Sequence, residues 1–360
     1  MNETDQVFVI AEAGVNHNGS VDMALRLIDV AADAQADAIK FQTFRADRLA
    51  VRSAPKAQYQ RETTGSGESQ LEMLRKLELD ESAHEVLLQR CRHRGIEFMS
   101  TPFDNESLRF LVDKIGVRRL KIASGEITNG PLLLEAARSG RPVILSTGMS
   151  TMEEIEDALG VLAFGLTMRV DEPSPQAFRQ ALASPEGGRV LKEQVTVLHC
   201  VTEYPAPFLD VNLRAIQVIR EKFHVNVGYS DHAMGIATAL AAVALGATVL
   251  EKHFTLDKNL PGPDHRASLD PAELEALVSG VREIGMALGV AEKRPSQSEL
   301  KNLFVARKSL VAAHEIRAGD TFSAQNLAAK RPGGGISPMR SWEFIGRAAV
   351  RDYIEDEPIE

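Results

Sequence analysis

Two rhythms alternate along this chain. Short apolar runs such as VFVIAEAG (Val7 to Gly14), DAIKFQTF (Asp37 to Phe44), IEFMSTPF (Ile96 to Phe103) and RLKIASGE (Arg119 to Glu126) are followed by longer stretches with apolar residues at helical spacing. PVILSTGM (Pro142 to Met149), VTVLHCVTEYP (Val195 to Pro205), VNVGYSDH (Val225 to His232) and ATVLEKHFT (Ala247 to Thr255) continue the series. The short runs predict β-strands and the stretches between them predict amphipathic helices. Helices are expected over Val21 to Ala34, with Ser20 as cap, and over Ala54 to Leu77 followed by Glu81 to Arg94. Further ones fall at Glu106 to Lys114, Pro131 to Ser139, Met152 to Leu162, Leu213 to Lys222 and the Ala-rich MGIATALAAVALG. A last one runs from Pro271 to Leu288. Eight strands alternating with helices over about 285 residues predict an α/β fold of the (β/α)8 TIM-barrel type, with a doubly wound open sheet as the second choice.

Two stretches break the rhythm. Phe164 to Arg189, with its Pro, Ser and Gly, reads as an irregular surface excursion. Beyond Gly289 the pattern changes altogether, so the expected division is a barrel over residues 1–289, a linker over 290–309 and a small domain over 310–360.

The strand ends carry the chemistry. Glu12, Lys40 with Gln42, Thr101, Lys121 with Ser124 and Glu126, Ser146, Tyr204, Ser230, His232 and His253 all stand at the C-terminal ends of predicted strands, and the strand starts hold no comparable set. In a barrel that edge is where a site is built. The two strands ending in His232 and His253 are joined by one helix, as in a strand, crossover, strand unit, which brings both imidazoles to the same rim. Either one alone reads better as a satisfied surface histidine, whereas the pair points to a divalent metal.

Lys40 and Lys121 follow apolar runs, and because burying an unpaired ammonium is costly they suggest a bound phosphate or carboxylate, with hydroxyls from Thr101, Ser124, Ser146 and Ser230. Glu12 and Glu126 are candidates for proton handling, or else partners of the lysines. Asp264, in LPGPDH, either binds sugar hydroxyls or caps its own turn. Arg331 precedes the glycines of KRPGGG, a possible anion-binding turn.

Composition narrows the field. The hydrophobic share of 44% and charged share of 25% are those of a water-soluble globular protein, and a net charge of −9 argues against nucleic acid or an anionic membrane as partner. Ala233 to Leu250 carries no charge but is mostly Ala and broken by Gly235 and Gly246, so a barrel helix is expected there and not a bilayer span. Cys91 and Cys200 offer no disulfide framework and no signal segment is visible, so a cytoplasmic setting is expected. No glycine-rich nucleotide loop is present.

The blocks AEAGVNHNGS, KFQTF, ESQLEMLRKLEL, STPFD, KIASGE, LSTGM, LHCVTEYPAPF, GYSDH, EKHFTLDK with GPDH, and KRPGGGISPM, in order over nearly the whole chain, resemble the sialic acid synthase family. The resemblance implies condensation of phosphoenolpyruvate with N-acetylmannosamine or a related acylated sugar to give N-acetylneuraminate or another nine-carbon keto acid. The alternative acceptor is 2,4-diacetamido-2,4,6-trideoxymannose, giving N,N'-diacetyllegionaminate. It also implies manganese, with magnesium or cobalt as substitutes, on His232 and His253; phosphoenolpyruvate on Lys40, Thr101, Lys121, Ser124, Ser146 and Ser230; and sugar contacts from Gln42, Tyr204 and Asp264. The C-terminal part resembles an antifreeze-like (SAF) domain, which implies a domain-swapped homodimer with Arg331 delivered across it. Gly334 stands where many members have Asn, and Val201 to Tyr204 falls in a segment that varies with the sugar. A class I aldolase with Lys121 as Schiff-base lysine and a non-catalytic carbohydrate-binding protein are the competing readings.

Overall fold

The structure is a computed structural model and describes residues 6–65, 67–168 and 171–360. Contacts divide the chain into two compact units, Met1–Gly289 and Val290–Glu360.

The first unit is the expected barrel. Strands β1 (Phe8–Gly14), β2 (Ala38–Thr43), β3 (Glu97–Pro102), β4 (Leu120–Ile122), β5 (Val143–Ser146), β6 (Val195–Cys200), β7 (Asn226–Asp231) and β8 (Val249–His253) form one sheet. They run in the order β3-β2-β1-β8-β7-β6-β5-β4, and every ladder within it is parallel. β3 and β4 lie side by side at the remaining seam.

Period-two alternation sorts the side chains. Residues such as Val9, Ile39, Phe98, Leu145, Val197 and Leu250 face outward into the main core beneath the helices. Ile10, Ala38, Met99, Ile144, Leu198 and Val249 face inward and form a separate apolar plug inside the barrel. Burying a strand on both faces is what makes these runs almost continuously hydrophobic. Among the described residues no helix is long and apolar enough to cross a membrane. Cys91 and Cys200 are both free and buried.

Ser20 does cap the helix Val21–Asp33, accepting from the Met23 amide. Elsewhere local chemistry redraws the expected boundaries. The single helix expected over Ala54 to Leu77 is two short helices, Gln58–Thr64 and Gln70–Arg75. Gly65, at φ 78, closes the first, and Ser69 with Glu72 caps the second in a reciprocal pair. Lys56 ties this segment together, its buried ammonium reaching Thr64 Oγ1, the Gly65 carbonyl and Glu68 Oε1. The stretch expected as an irregular excursion is helical: Met152–Thr167 runs on past Leu162, and Pro175–Ala183 and Pro185–Gln194 follow. Each of the last two has a Ser cap and Pro in its first turn, so the Ser and Pro that suggested a loop are start signals. Ala181, Val190 and Leu191 anchor them in the main core; residues 169 and 170 lie outside the described residues. The segment expected as the fourth strand up to Glu126 leaves the sheet after Ile122 and turns through a 3-10 helix, Ser124–Glu126.

The second unit pairs β9 (Ser309–Ala312) antiparallel with β10 (Leu327–Lys330) over a core of Leu310, Ala312, Ile316, Phe322, Ala349, Tyr353 and Ile359. The stretch 290–309, expected as a linker, carries the helix Gln297–Ala306. That helix belongs to this unit, because its Phe304 and Ala306 carbonyls accept from the Gly333 amide and Arg331 Nε. Gly334 has φ +103 and a Cβ there would meet the Phe304 ring at 2.9 Å, so the local backbone favours the glycine found.

Candidate active site

The inward positions change character toward the C-terminal ends of the strands. Two residues beyond the apolar plug, the same faces present Glu12, Lys40, Thr101, Ser146, Cys200 and Glu251, joined by Lys121 from β4 and Ser230 from β7. Together with Gln42, Ser124, Glu126, Tyr204, His232, His253 and Asp264, they line one cavity of about 360 Å³. Every candidate singled out in the sequence lines this cavity except Arg331, which lies exposed in the second unit.

Both lysines are ion-paired, Lys40 with Glu12, one of the two readings left open for that carboxylate, and Lys121 with Glu251, which was not among the candidates. Lys40 Nζ lies 2.7 Å from Glu12 Oε2 and 3.8 Å from Glu251 Oε2, and donates to Thr101 Oγ1 at 2.9 Å. Lys121 Nζ lies 3.4 Å from Glu251 Oε1, which also accepts from Ser230 Oγ at 2.9 Å. All four charged groups are buried. Burial works against the charge of each, and the neighbours decide the outcome. For Glu251 the two ammonium groups overcome burial and hold the carboxyl below its ordinary range. For Glu12 burial wins over the single neighbouring lysine and pushes the carboxyl up. Lys40, facing two carboxylates, stays above its ordinary value despite burial, whereas burial lowers Lys121, which faces one. The cluster thus favours the ionised form of Glu251 and the protonated form of Glu12.

His232 and His253 face each other across the β7 and β8 ends, ring centroids 5.5 Å apart. His232 Nδ1 donates to the Val201 carbonyl at 2.6 Å, which leaves Nε2 as the lone-pair nitrogen. Burial lowers His232 to about 4 and His253 well below the usual range, so both rings are neutral and ligand-competent at pH 7. His253 Nδ1 has no hydrogen-bond partner among the described residues, with Asp264 Oδ2 4.0 Å away. The Tyr204 ring packs on both imidazoles at 4.1 and 5.4 Å, and Tyr59 stacks behind it at 5.0 Å. Among the described residues no cluster of three or more His, Cys, Asp or Glu side chains is arranged to hold a metal.

Two further positions shape the mouth. Ser124 Oγ accepts from the Gly148 amide at 2.9 Å and touches Cys200 Sγ at 3.1 Å. Glu126 accepts from Asn129 Nδ2 at 2.8 Å. Nine buried side-chain polar atoms lack a hydrogen bond among the described residues, and five belong to residues of this one cavity; Glu12 Oε2 and Glu251 Oε2 face the Lys40 ammonium at 2.7 and 3.8 Å, which leaves Ser146, Thr202 and His253 without a partner there. Unsatisfied buried polar groups are rare and costly, so their concentration here marks where a polar ligand completes the structure.

Glu251 is the functional residue that sequence reasoning left out. It lies two positions before His253 on β8, so the parity that turns His253 inward turns Glu251 inward too. Its neighbour Lys252 faces outward and closes a buried pair with Asp231 at 2.7 Å, while Asp231 also accepts from Tyr229, Ala233 and Thr238. That network braces the two histidine-bearing strands from behind. Thr202, a polar residue at the end of the sixth predicted strand, also lines the cavity, whereas Gly148 and Tyr59 were missed, since nothing in strand periodicity places loop residues.

Comparison with known proteins agrees with the geometry. The NeuB family model matches residues 27–293, and a SAF domain model matches residues 307–360. The chain belongs to the NeuB family. A NeuB-type relative, the N,N'-diacetyllegionaminic acid synthase of Campylobacter jejuni, is 49% identical over 98% of this chain and 99% of that protein. The enzyme of the same description from Legionella pneumophila is 42% identical over 94% of this chain and 89% of that protein. Among solved structures, the N-acetylneuraminic acid (sialic acid) synthetase of Leptospira borgpetersenii in complex with citrate aligns at TM-score 0.66 and 37% identity, covering 82% of this chain and 90% of that one.

Proposed function

We propose that this NeuB-family chain is a nonulosonic acid synthase, joining phosphoenolpyruvate to an N-acylated mannosamine-type sugar and releasing phosphate. The acceptor is N-acetylmannosamine or 2,4-diacetamido-2,4,6-trideoxymannose. The observation that carries this reading is the pair of buried lysines sharing Glu251, beside the hydroxyls of Ser146 and Thr202, which have no partner among the described residues. Such a set suits a ligand with two anionic groups, and Ser146, Ser124, Thr101 and Ser230 supply donors beside the two cations.

His232 and His253 would hold a divalent cation, manganese first and magnesium or cobalt after it, which when bound would act as a Lewis acid toward the acceptor's carbonyl. Two neutral rings with free nitrogens fit a cation whose other positions are open to water and substrate. Lys40 and Lys121 bind and orient phosphoenolpyruvate, so that its C3 attacks the aldehyde carbon of the open-chain sugar and the resulting alkoxide takes the proton carried by Glu12. Water then adds at C2 and returns a proton to Glu12. The tetrahedral adduct expels phosphate by breaking the bond from C2 to oxygen. Gln42, Tyr204 and Asp264 contact the sugar.

The working assembly is a domain-swapped homodimer in which Arg331 is delivered across the dimer. Family membership supports it, as do the exposed Met339, Trp342 and Val350 of the second unit. The cytoplasm is its place of work, a reading supported by two free, buried thiols.

Turnover in labelled water tests the chemistry: the label enters the keto acid and none enters phosphate. Label in phosphate overturns the route. Borohydride trapping of Lys121 with substrate would favour the aldolase reading instead.

A further inference from the structure

The cavity has two unlike sides. Its floor is the charged rim of the barrel, but Val15, Leu49, Met73, Leu74, Leu77 and Phe103 also line it. With Phe44, these side chains make one apolar cluster of their own, separate from the barrel core and from the plug inside it. The strand order places this cluster. The imidazole pair stands on β7 and β8; next round the barrel come β1, β2 and β3, and the residues following them bear Val15, Leu49 with the Gln70–Arg75 helix, and Phe103. The side toward β4, β5 and β6 is polar, with Ser124, Glu126 and Thr202.

We propose that this apolar wall receives the end of the acceptor farthest from its carbonyl, and that it selects a 6-deoxy sugar, whose C6 is a methyl group, over one with a C6 hydroxyl. The proposal rests on the synthase reading above. With the carbonyl carbon held at the imidazole pair, the acyl group on C2 stays near the reacting centre, and C6 is the atom that leaves the ring of charges. A methyl group against Met73, Leu74 and Leu77 gains burial without needing a partner. A hydroxyl in the same place loses its water and finds no donor or acceptor among those six side chains. The polar groups that the same segment adds are elsewhere engaged or differently placed. Gln60 Oε1 accepts from the Ala57 amide and its Nε2 donates to Tyr59 OH. The half-buried Gln70 amide makes no hydrogen bond among the described residues, which leaves it free for an acyl carbonyl.

The test compares kcat/KM, at saturating phosphoenolpyruvate and manganese, for N-acetylmannosamine, its 6-deoxy counterpart 2-acetamido-2,6-dideoxymannose, and the diacetamido-trideoxy sugar. An apolar pocket discriminates against an added hydroxyl by roughly 10- to 100-fold, so the 6-deoxy compound is expected to exceed N-acetylmannosamine within that range. Leu74→Asn and Leu49→Asn, at two of the three half-buried positions of the wall, should shrink the ratio about tenfold, mainly by raising KM for the 6-deoxy sugars. Met73→Leu, which keeps volume and polarity, should preserve it. Equal or inverted preference in the wild type overturns the proposal, as does an unchanged ratio in the Asn variants, and either result leaves the synthase reading standing. Turnover of none of the three sugars overturns that reading and this one with it.

Discussion

Replacing Glu251 by Gln removes the one anion between two buried ammonium groups while keeping shape. The Coulomb attraction lost is about 5 kcal/mol to Lys121 at 3.4 Å and about 4 kcal/mol to Lys40 at 3.8 Å, taking an effective dielectric constant of about 20. The lysines respond by shedding charge, and Lys40 keeps Glu12 at 2.7 Å, so the net cost should be about 3–5 kcal/mol, as for other broken buried pairs. Urea unfolding followed by far-UV circular dichroism reads it; the single tryptophan, Trp342, lies in the second unit and does not report on the barrel. Phosphoenolpyruvate should then substitute for the missing carboxylate. The stabilisation it confers should exceed that in the wild type by about 1.4 kcal/mol or more, a tenfold tighter apparent affinity. A variant as stable as the parent, or one that gains no more from the ligand, would refute the claim that Glu251 balances the two lysines.

Three other outcomes are expected. Gly148→Ala puts a Cβ 2.1 Å from Thr202 Oγ1 and 3.0 Å from Ser124 Oγ, so kcat/KM should fall at least about 100-fold while circular dichroism and urea midpoint change little. Lys252→Met leaves Asp231 charged and buried without its cation and should cost about 3–5 kcal/mol; the double change with Asp231→Asn should recover most of that, which unfolding of the three variants checks. Acid should destabilise the fold through buried neutral histidines. Burial lowers His17 to about 4 from 6.5, so the unfolded chain binds a proton that the folded chain refuses between those values. Stability is therefore full above about pH 6.5 and falls as pH drops toward 4, by about 2 kcal/mol at pH 5 from His17 alone. His265 and His84 act in the same direction. In His17→Gln the urea midpoint between pH 7 and 5 should fall less steeply than in the parent, and an equal slope would count against this source.

The barrel was readable because its strands are buried on both faces and its helices on one, so hydrophobic spacing alone separates them. The rim was readable for a related reason: polar residues at the ends of apolar runs have few places to go but the mouth. What periodicity does not carry is which polar residue meets which. Whether Glu12 pairs with a lysine was left open, and nothing pointed to Glu251, since neither lies near Lys40 or Lys121 in sequence; β1, β2, β4 and β8 come together only when the sheet closes. The helices after Thr167 were misread because Ser-Pro pairs serve both as turns and as helix starts, and only the burial of Ala181, Val190 and Leu191 decides between the two.

A chain of net charge −9 that gathers an anionic substrate must make its positive field locally, and the site shows how this is done without leaving raw charge buried. With Glu251 ionised and both lysines protonated, the cluster carries a net positive charge whenever Glu12 is protonated, and is balanced whenever Glu12 is ionised. Burial pushes Glu12 toward the protonated form, so the free site leans positive and an arriving anion is attracted. Once the substrate's negative groups lie on Lys40 and Lys121, they compete with Glu12 for the same ammonium and favour its protonated form further. Loss of substrate charge as phosphate departs reverses that preference. On the proposed route the proton on Glu12 is thus coupled to the charge in the cavity, which would let this carboxyl give a proton to the alkoxide at one stage and take one back from the added water at the next.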